Sequence, residues 1–501
     1  MIPAFWQIFR RGALPGLLIL ATIGTAPLMR AADGPRFFPL AGASTVCPDT
    51  PLRLTFAAAP TLGTGGKIQV WDAATHAMVE SIDVSSPTAI KTIGGLENCK
   101  YYPVIIAGDT AAITLRNGAL GWNKTYYVTV DPDVFHVEAD RSAGIGDQAS
   151  WSFTTKGAPP AQGAARLTVA ADGSGDFCTV QGALDFIPDG NTAPTTIFLR
   201  KGTYTEIIFF TNKHAITLRG EDRRETVIAY ANNAKFNDAG GNPYAKGANP
   251  SGVVAPHGGS VYHRGVFMAH RVNDLVITNL TIRNTTPKGG SQAEAIILNG
   301  TTTARAILKD VDLYSYQDTL QINGQAYISG CHIEGDVDFM WGTGPCFFEN
   351  CVCRTVSSGA CYTQIRNPGP TQLENHGFVY LRCTFDGLPG VTNNYLSRIE
   401  TSRFPNSEVV LIDCMLGATV KPDAWQLEHG PKDDGKTPRQ VRFWEYHSHA
   451  ADGTPVDVSQ RAAFSRQLSS PADAATIAHY SDPTFVLGHD WNPKQAPVFA
   501  P

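Results

Sequence analysis

Charge is scarce in this chain. Asp, Glu, Lys and Arg make up only 17% of its 501 residues, and the formal net charge is −5. Such a surface offers no basic field to hold a phosphate backbone, so nucleic acid is excluded as a partner. Long hydrophobic runs are nearly missing too. One stands near the start, from Ala13 to Ile23, behind Arg10 and Arg11. It is short for a bilayer span, and no later segment resembles one. Residues 1–32 are therefore expected to be an export signal, with small residues at Ala31 and Ala32 for cleavage. No cysteine follows the run until Cys47, which argues against a lipid anchor. The mature chain is expected to be secreted or periplasmic, without a membrane span, where disulfides are permitted.

What is present suits a β-rich protein. Hydrophobic residues reach 43%, enough for sizeable cores, while 48 Gly and 33 Pro imply many turns. Residues 36–156 alternate in short strands, such as Leu52–Phe56, Lys67–Trp71, Thr125–Val130 and Trp151–Thr155. About seven such strands predict a β-sandwich, and the stretch resembles the immunoglobulin-like modules of secreted bacterial proteins. It holds no catalytic constellation and reads as a spacer or adhesive module. Cys47 and Cys99 are candidates to pair within it. Residues 157–164 form a linker rich in Gly, Pro and Ala.

From residue 165 to 501 the pattern changes to a repeat. Asn279-Leu280, Asp310-Val311, Gly330-Cys331, Asn350-Cys351, Arg382-Cys383 and Asp413-Cys414 fill one recurring slot. A base period near 20 residues with loop insertions predicts an all-β, right-handed parallel β-helix. Cys331, Cys351, Cys383 and Cys414 would then stack as a ladder. Whether Cys331 and Cys351 are bridged or are free buried thiols stays open. Val180–Ile187 is spaced as a short helix, and the tail from Arg461 to Trp491 reads as partly helical, packed outside the stack. Residues 231–262 and 428–440 read as long loop insertions.

The same period relates Asp318 to Asp338, which lie 20 residues apart. Stacked strands are about 4.8 Å apart, so the two carboxylates would lie one above the other. At an effective dielectric near 20 they would repel by about 3 kcal/mol, or about two pKa units. One would stay protonated near neutral pH as a general acid while the other served as a nucleophile.

The segments Gly202-Thr203-Tyr204-Thr205-Glu206, Gln292-Ala293-Glu294-Ala295, Gln317-Asp318-Thr319-Leu320, Gly335 to Gly342 and Tyr395-Leu396-Ser397-Arg398 carry a resemblance. In these motifs the chain resembles the pectin methylesterases (pectinesterases). The resemblance implies Asp338 as nucleophile, Asp318 as acid and then base, Gln317 and Gln292 as oxyanion donors, and Arg398 as the partner of Asp338. It implies methyl-esterified pectin (homogalacturonan) as substrate, no cofactor and no metal, and a monomer.

Two departures stand out. The family usually continues its arginine segment with Pro-Trp, where this chain has Ile399-Glu400. Trp341 and Met340 are the candidates to line the sugar groove in place of the missing tryptophan, with Gln292 and Arg398 beside the substrate. On a strand Asp336 would share a face with Asp338, either competing as a carboxylate or shifting the titration of the pair, and the residues leave its role open. Other readings of the residues are a polygalacturonase or pectate lyase, an esterase or thioesterase acting on another acyl group, and a non-catalytic surface binder.

Overall fold

The computed structural model describes residues 34–137, 140–141, 144–237, 263–300, 304–367, 376–400, 404–428, 440–488 and 491–495. The segment 1–32, expected to be an export signal, and most of the two insertions, 238–262 and 429–439, lie outside the described residues.

The N-terminal part is a sandwich. One sheet orders its strands Arg36–Phe38, Leu52–Thr55, Thr110–Ile113 and Val104–Ala107; the other is built around Thr125–Val130 and Lys67–Asp72. Alternation explains the packing. Leu52 and Leu54 of the first sheet and Ile68, Val70, Tyr126 and Val128 of the second all turn into one core. Ser152–Thr155 closes the unit, pairing with Thr125–Tyr127.

After the segment 157–164 the chain winds into a parallel β-helix of three sheets, with eleven, eight and eight strands. Every neighbouring pair in them is parallel, as in Thr278, Lys309, Ser329, Glu349, Leu381 and Ile412, which occupy one column. The residue that follows each of them turns the corner. Asn279, Asp310, Gly330, Asn350, Arg382 and Asp413 all have φ between +51° and +63°. The recurring slot in the sequence is therefore the left-handed turn that leads from the first sheet to the second, with Asn, Asp or Gly at five of these six corners because they tolerate αL best. One position on, Cys331, Cys351, Cys383 and Cys414 point into the coil and are at most 1% exposed. They are free thiols that donate to carbonyls: Cys331 Sγ to Ser329 O at 3.4 Å, and Cys351 Sγ to Ile328 O at 3.4 Å.

Helices cover the stack at one end and on one outer face. The helix Val180–Phe186, N-capped by Thr179 Oγ1 to Gly182 N, sends Val180, Ala183 and Leu184 into the core at one end. The helices Ala474–Tyr480 and Pro483–Leu487 lie on the outer face of the eleven-stranded sheet, where Tyr480, Leu487 and Trp491 meet Phe347, Val379 and Val410.

The cysteines of the first unit do not pair with each other. Cys99 sits on the hairpin Ala89–Ile93/Leu96–Tyr101, whose apolar side chains join the β-helix core. Cys47 faces the β-helix instead, beside Cys178 and within hydrogen-bond reach of Lys156 Nζ at 3.1 Å. The hairpin leaves the sandwich to cap its neighbour, which carries Cys99 away from Cys47. Asp49 joins the same contact, accepting from Cys178 N, Thr179 N and Thr179 Oγ1.

Candidate active site

The third sheet positions the candidate site. Ile296, Leu320 and Met340 are in register on successive strands. The residues two places before them, Glu294, Asp318 and Asp338, therefore stack at the strand spacing of about 4.8 Å. Asp318 and Asp338 both have left-handed backbones, with φ of +65° and +48°. For a non-glycine residue this costs on the order of 1–3 kcal/mol, a strain found most often where side chains are aimed for function. Both are only 5% exposed.

Each carboxylate has an arginine. Arg398, on the strand Tyr395–Glu400, reaches across one coil and grips Asp338 with both prongs, Nε to Oδ1 at 2.8 Å and Nη2 to Oδ2 at 2.7 Å. This fork-to-carboxylate geometry fixes position as well as charge. Arg264 contacts Asp318 with one prong, Nη2 to Oδ2 at 2.9 Å, and spends the rest of its fork on Glu294. Burial pushes the Asp318 carboxyl well above the usual carboxylate range; Glu294 and Asp338 push the same way, and Arg264 and Arg366 oppose them. The stack thus holds one carboxyl whose proton affinity is raised and one carboxylate clamped by a guanidinium.

Gln292 and Gln317 lie at the same edge of the sheet, half-buried, with Ala293 N donating to Gln317 O at 3.2 Å. Gln292 Oε1 accepts from Ser291 Oγ at 3.0 Å. Trp341 is in register with Gln321 and Gln364, and the guanidinium of Arg366 lies 4.3 Å from its ring centroid.

Two expectations are corrected. Met340 does not line a groove: it is fully buried in the coil interior, with Tyr380 Oη 3.6 Å from its sulfur. Strand alternation that turns Trp341 outward necessarily turns Met340 inward. The carboxylate of Asp336 is engaged elsewhere: it stands just before the strand Val337–Thr343 and accepts from Val337 N at 2.7 Å and from Ser357 Oγ at 3.1 Å. In the departing segment Ile399 is fully buried, so Glu400 takes the outward position on the side of Arg398.

Glu294, Arg264 and Arg366 were not singled out from sequence. Glu294 stands two residues after Gln292, and its slot in the stack was readable from the repeat. Arg264 follows a long insertion without periodicity, so nothing local pointed to it.

A three-sheet parallel β-helix with two stacked carboxylates, each held by arginine, is the framework of a carboxylate-based β-helix enzyme. The sequence profile described as Pectinesterase matches residues 166–489. Pectinesterase 31 of Arabidopsis thaliana is 30% identical over 317 residues, covering 63% of this chain and 91% of that protein. A pectinesterase of Ralstonia solanacearum is 31% identical over 327 residues, covering 57% and 80%. Among solved structures, a pectin methylesterase from carrot shares the fold with a TM-score of 0.52 at 20% identity, covering 67% of this chain and 97% of that one. A pectin methylesterase in complex with a hexasaccharide shares it with a TM-score of 0.50 at 24% identity, covering 65% and 98%. The chain belongs to the pectinesterase family and is a carboxylic ester hydrolase.

Proposed function

We propose that the chain de-esterifies pectin through an acyl-enzyme on Asp338. Held by Arg398, the Asp338 carboxylate attacks the carbonyl carbon of a galacturonate methyl ester. Gln317 and Gln292 donate hydrogen bonds to the oxyanion that develops, a contribution worth on the order of 3 kcal/mol. Asp318 gives its proton to the departing methoxide, releasing methanol. It then takes a proton from the incoming water, which attacks the acyl carbonyl and frees Asp338 and the galacturonate.

The observation that carries this reading is the division between the two stacked carboxyls. One is buried and stands against a second anion, both of which favour its protonated form; the other is gripped by both prongs of a guanidinium. The half-buried Arg366 adds a further cation near the pair, which suits a polyuronate. Export to the cell exterior, where pectin is met, accords with the apolar N-terminal segment; among the described residues no helix is long and apolar enough to cross a membrane.

The test is methanol release from highly methylated pectin, with polymer length followed in parallel. De-esterification predicts methanol without new chain ends. Chain cleavage would instead favour glycoside hydrolysis, to which paired carboxylates are also suited. Asp338→Asn is expected to abolish release while keeping the fold, and near-normal turnover by that variant would overturn the nucleophile assignment.

A further inference from the structure

We propose that Glu294 and Arg264 form a positioning pair that keeps Asp318 a proton donor and selects which of its two oxygens carries the proton. The proposal rests on the reading of Asp318 as the acid of the reaction.

The geometry is a closed triad. Glu294 is fully buried, Arg264 is 9% exposed and Asp318 is 5% exposed. Arg264 Nε meets both Glu294 oxygens at 2.9 Å, and Arg264 Nη2 is shared between Glu294 Oε1 at 2.7 Å and Asp318 Oδ2 at 2.9 Å. An N–H donated to Oδ2 makes that oxygen the acceptor, so the acid proton belongs on Oδ1.

The charges explain why Glu294 is needed. A lone guanidinium 2.9 Å from a carboxyl favours its ionised form and would strip Asp318 of its proton. Glu294, one coil away on the opposite side from Asp338, neutralises Arg264 and adds its own repulsion. Among the described residues, the charged groups around Asp318 are Glu294 from the preceding coil, Arg264 from the segment entering strand Phe267–His270, Asp338 with its partner Arg398 from the following coils, and Arg366 at the end of strand Cys361–Ile365. Once Asp318 has given its proton to methanol, Arg264 is already in place to hold the new carboxylate until water is activated. One arginine shared by two anions therefore serves both halves of the reaction.

Glu294→Gln tests this, since it keeps the shape and removes the neutralising charge. The alkaline limb of the kcat profile for methanol release is expected to move to lower pH by about one unit or more, with KM changed less than kcat. Glu294→Asp is expected to restore part of the limb. A limb that stays at the wild-type pH in a folded Glu294→Gln enzyme overturns the proposal. If that variant does not fold, the carboxylic-acid band of Asp318 in the infrared spectrum of the wild type, assigned by difference from Asp318→Asn, decides. Its persistence at neutral pH is expected, and its absence overturns the proposal. Asp318→Asn assayed alongside separates the two failures. Normal turnover by Asp318→Asn sinks the acid assignment itself; an inactive Asp318→Asn with an unmoved Glu294→Gln limb sinks only the role of the pair.

Discussion

Arg398 and Asp338 meet as fork and carboxylate, at 2.8 and 2.7 Å, although 60 residues separate them in sequence. Lysine cannot reproduce two parallel hydrogen bonds from one planar group. Arg398→Lys keeps the charge but frees the Asp338 carboxylate to rotate. Loss of one charge-assisted bond, about 1.5–3 kcal/mol, predicts a fall in kcat of about 10- to 100-fold. Steady-state methanol release on one pectin batch checks it; an unchanged kcat would mean that the fork does not orient the nucleophile.

On the proposed mechanism, Asp318 sets the pH dependence of the first half-reaction. Its folded-state affinity for a proton is raised by burial, then by Glu294 and Asp338. The donor form is therefore retained beyond the pH at which an ordinary carboxyl ionises, and activity falls as pH rises through the raised value. Methanol-burst amplitudes across pH, with Asp318→Asn as control, measure this limb. A limb in the ordinary carboxylate range would contradict the electrostatic account.

Much of this site was readable from residues alone, and the reasons differ by residue. The 20-residue interval placed Asp318 over Asp338 because coil length fixes what stacks on what, and the corner residues Asn279, Asp310 and Asn350 reported that period through their left-handed turns. Arg398 lies beyond two coils of unequal length, so only motif resemblance linked it to Asp338. Arg264 had no period to betray it, since it enters the site from a loop. Met340 neighbours Trp341, and strand alternation lets only one of the two face outward, while Asp336 stands before the strand Val337–Thr343, where that alternation does not apply. The Cys47–Cys99 expectation failed because the hairpin bearing Cys99 packs on the neighbouring unit.

Met340 offers a direct check on that alternation. It is fully enclosed in the coil core with Phe348 and Tyr380 as companions in the same cluster. Met340→Ala is expected to cost about 2–5 kcal/mol of stability through the cavity it leaves. KM for pectin should be unchanged, because the side chain meets no cleft. Thermal denaturation with a parallel KM measurement tests both halves. A raised KM at wild-type stability would return Met340 to the groove.

Glu206 belongs to one of the family-like motifs yet works at the junction with the N-terminal unit. Its carboxylate accepts from Val180 N at 2.8 Å and Gln181 N at 3.0 Å, at the start of the capping helix. Burial pushes it up to about 7 from an ordinary value of 4.5, outweighing those two hydrogen bonds. A carboxyl whose folded value exceeds its unfolded one binds its proton more tightly in the native state. Its contribution is fully present below about pH 4.5 and is lost as pH rises through about 7. Glu408 has the opposite sign, since its partners His376 and Arg442 hold it below the usual range despite burial, so its contribution is lost on acidification. The two windows adjoin near pH 4.5, that of Glu408 lying below it and that of Glu206 above it, and a difference experiment isolates the second. Glu206→Gln retains an acceptor for the helix amides and removes the titration. The wild-type melting temperature minus that of Glu206→Gln should therefore decline steadily from pH 4.5 to pH 7. A difference that is flat over this window would show that Glu206 is as easily ionised in the folded chain as in the unfolded one.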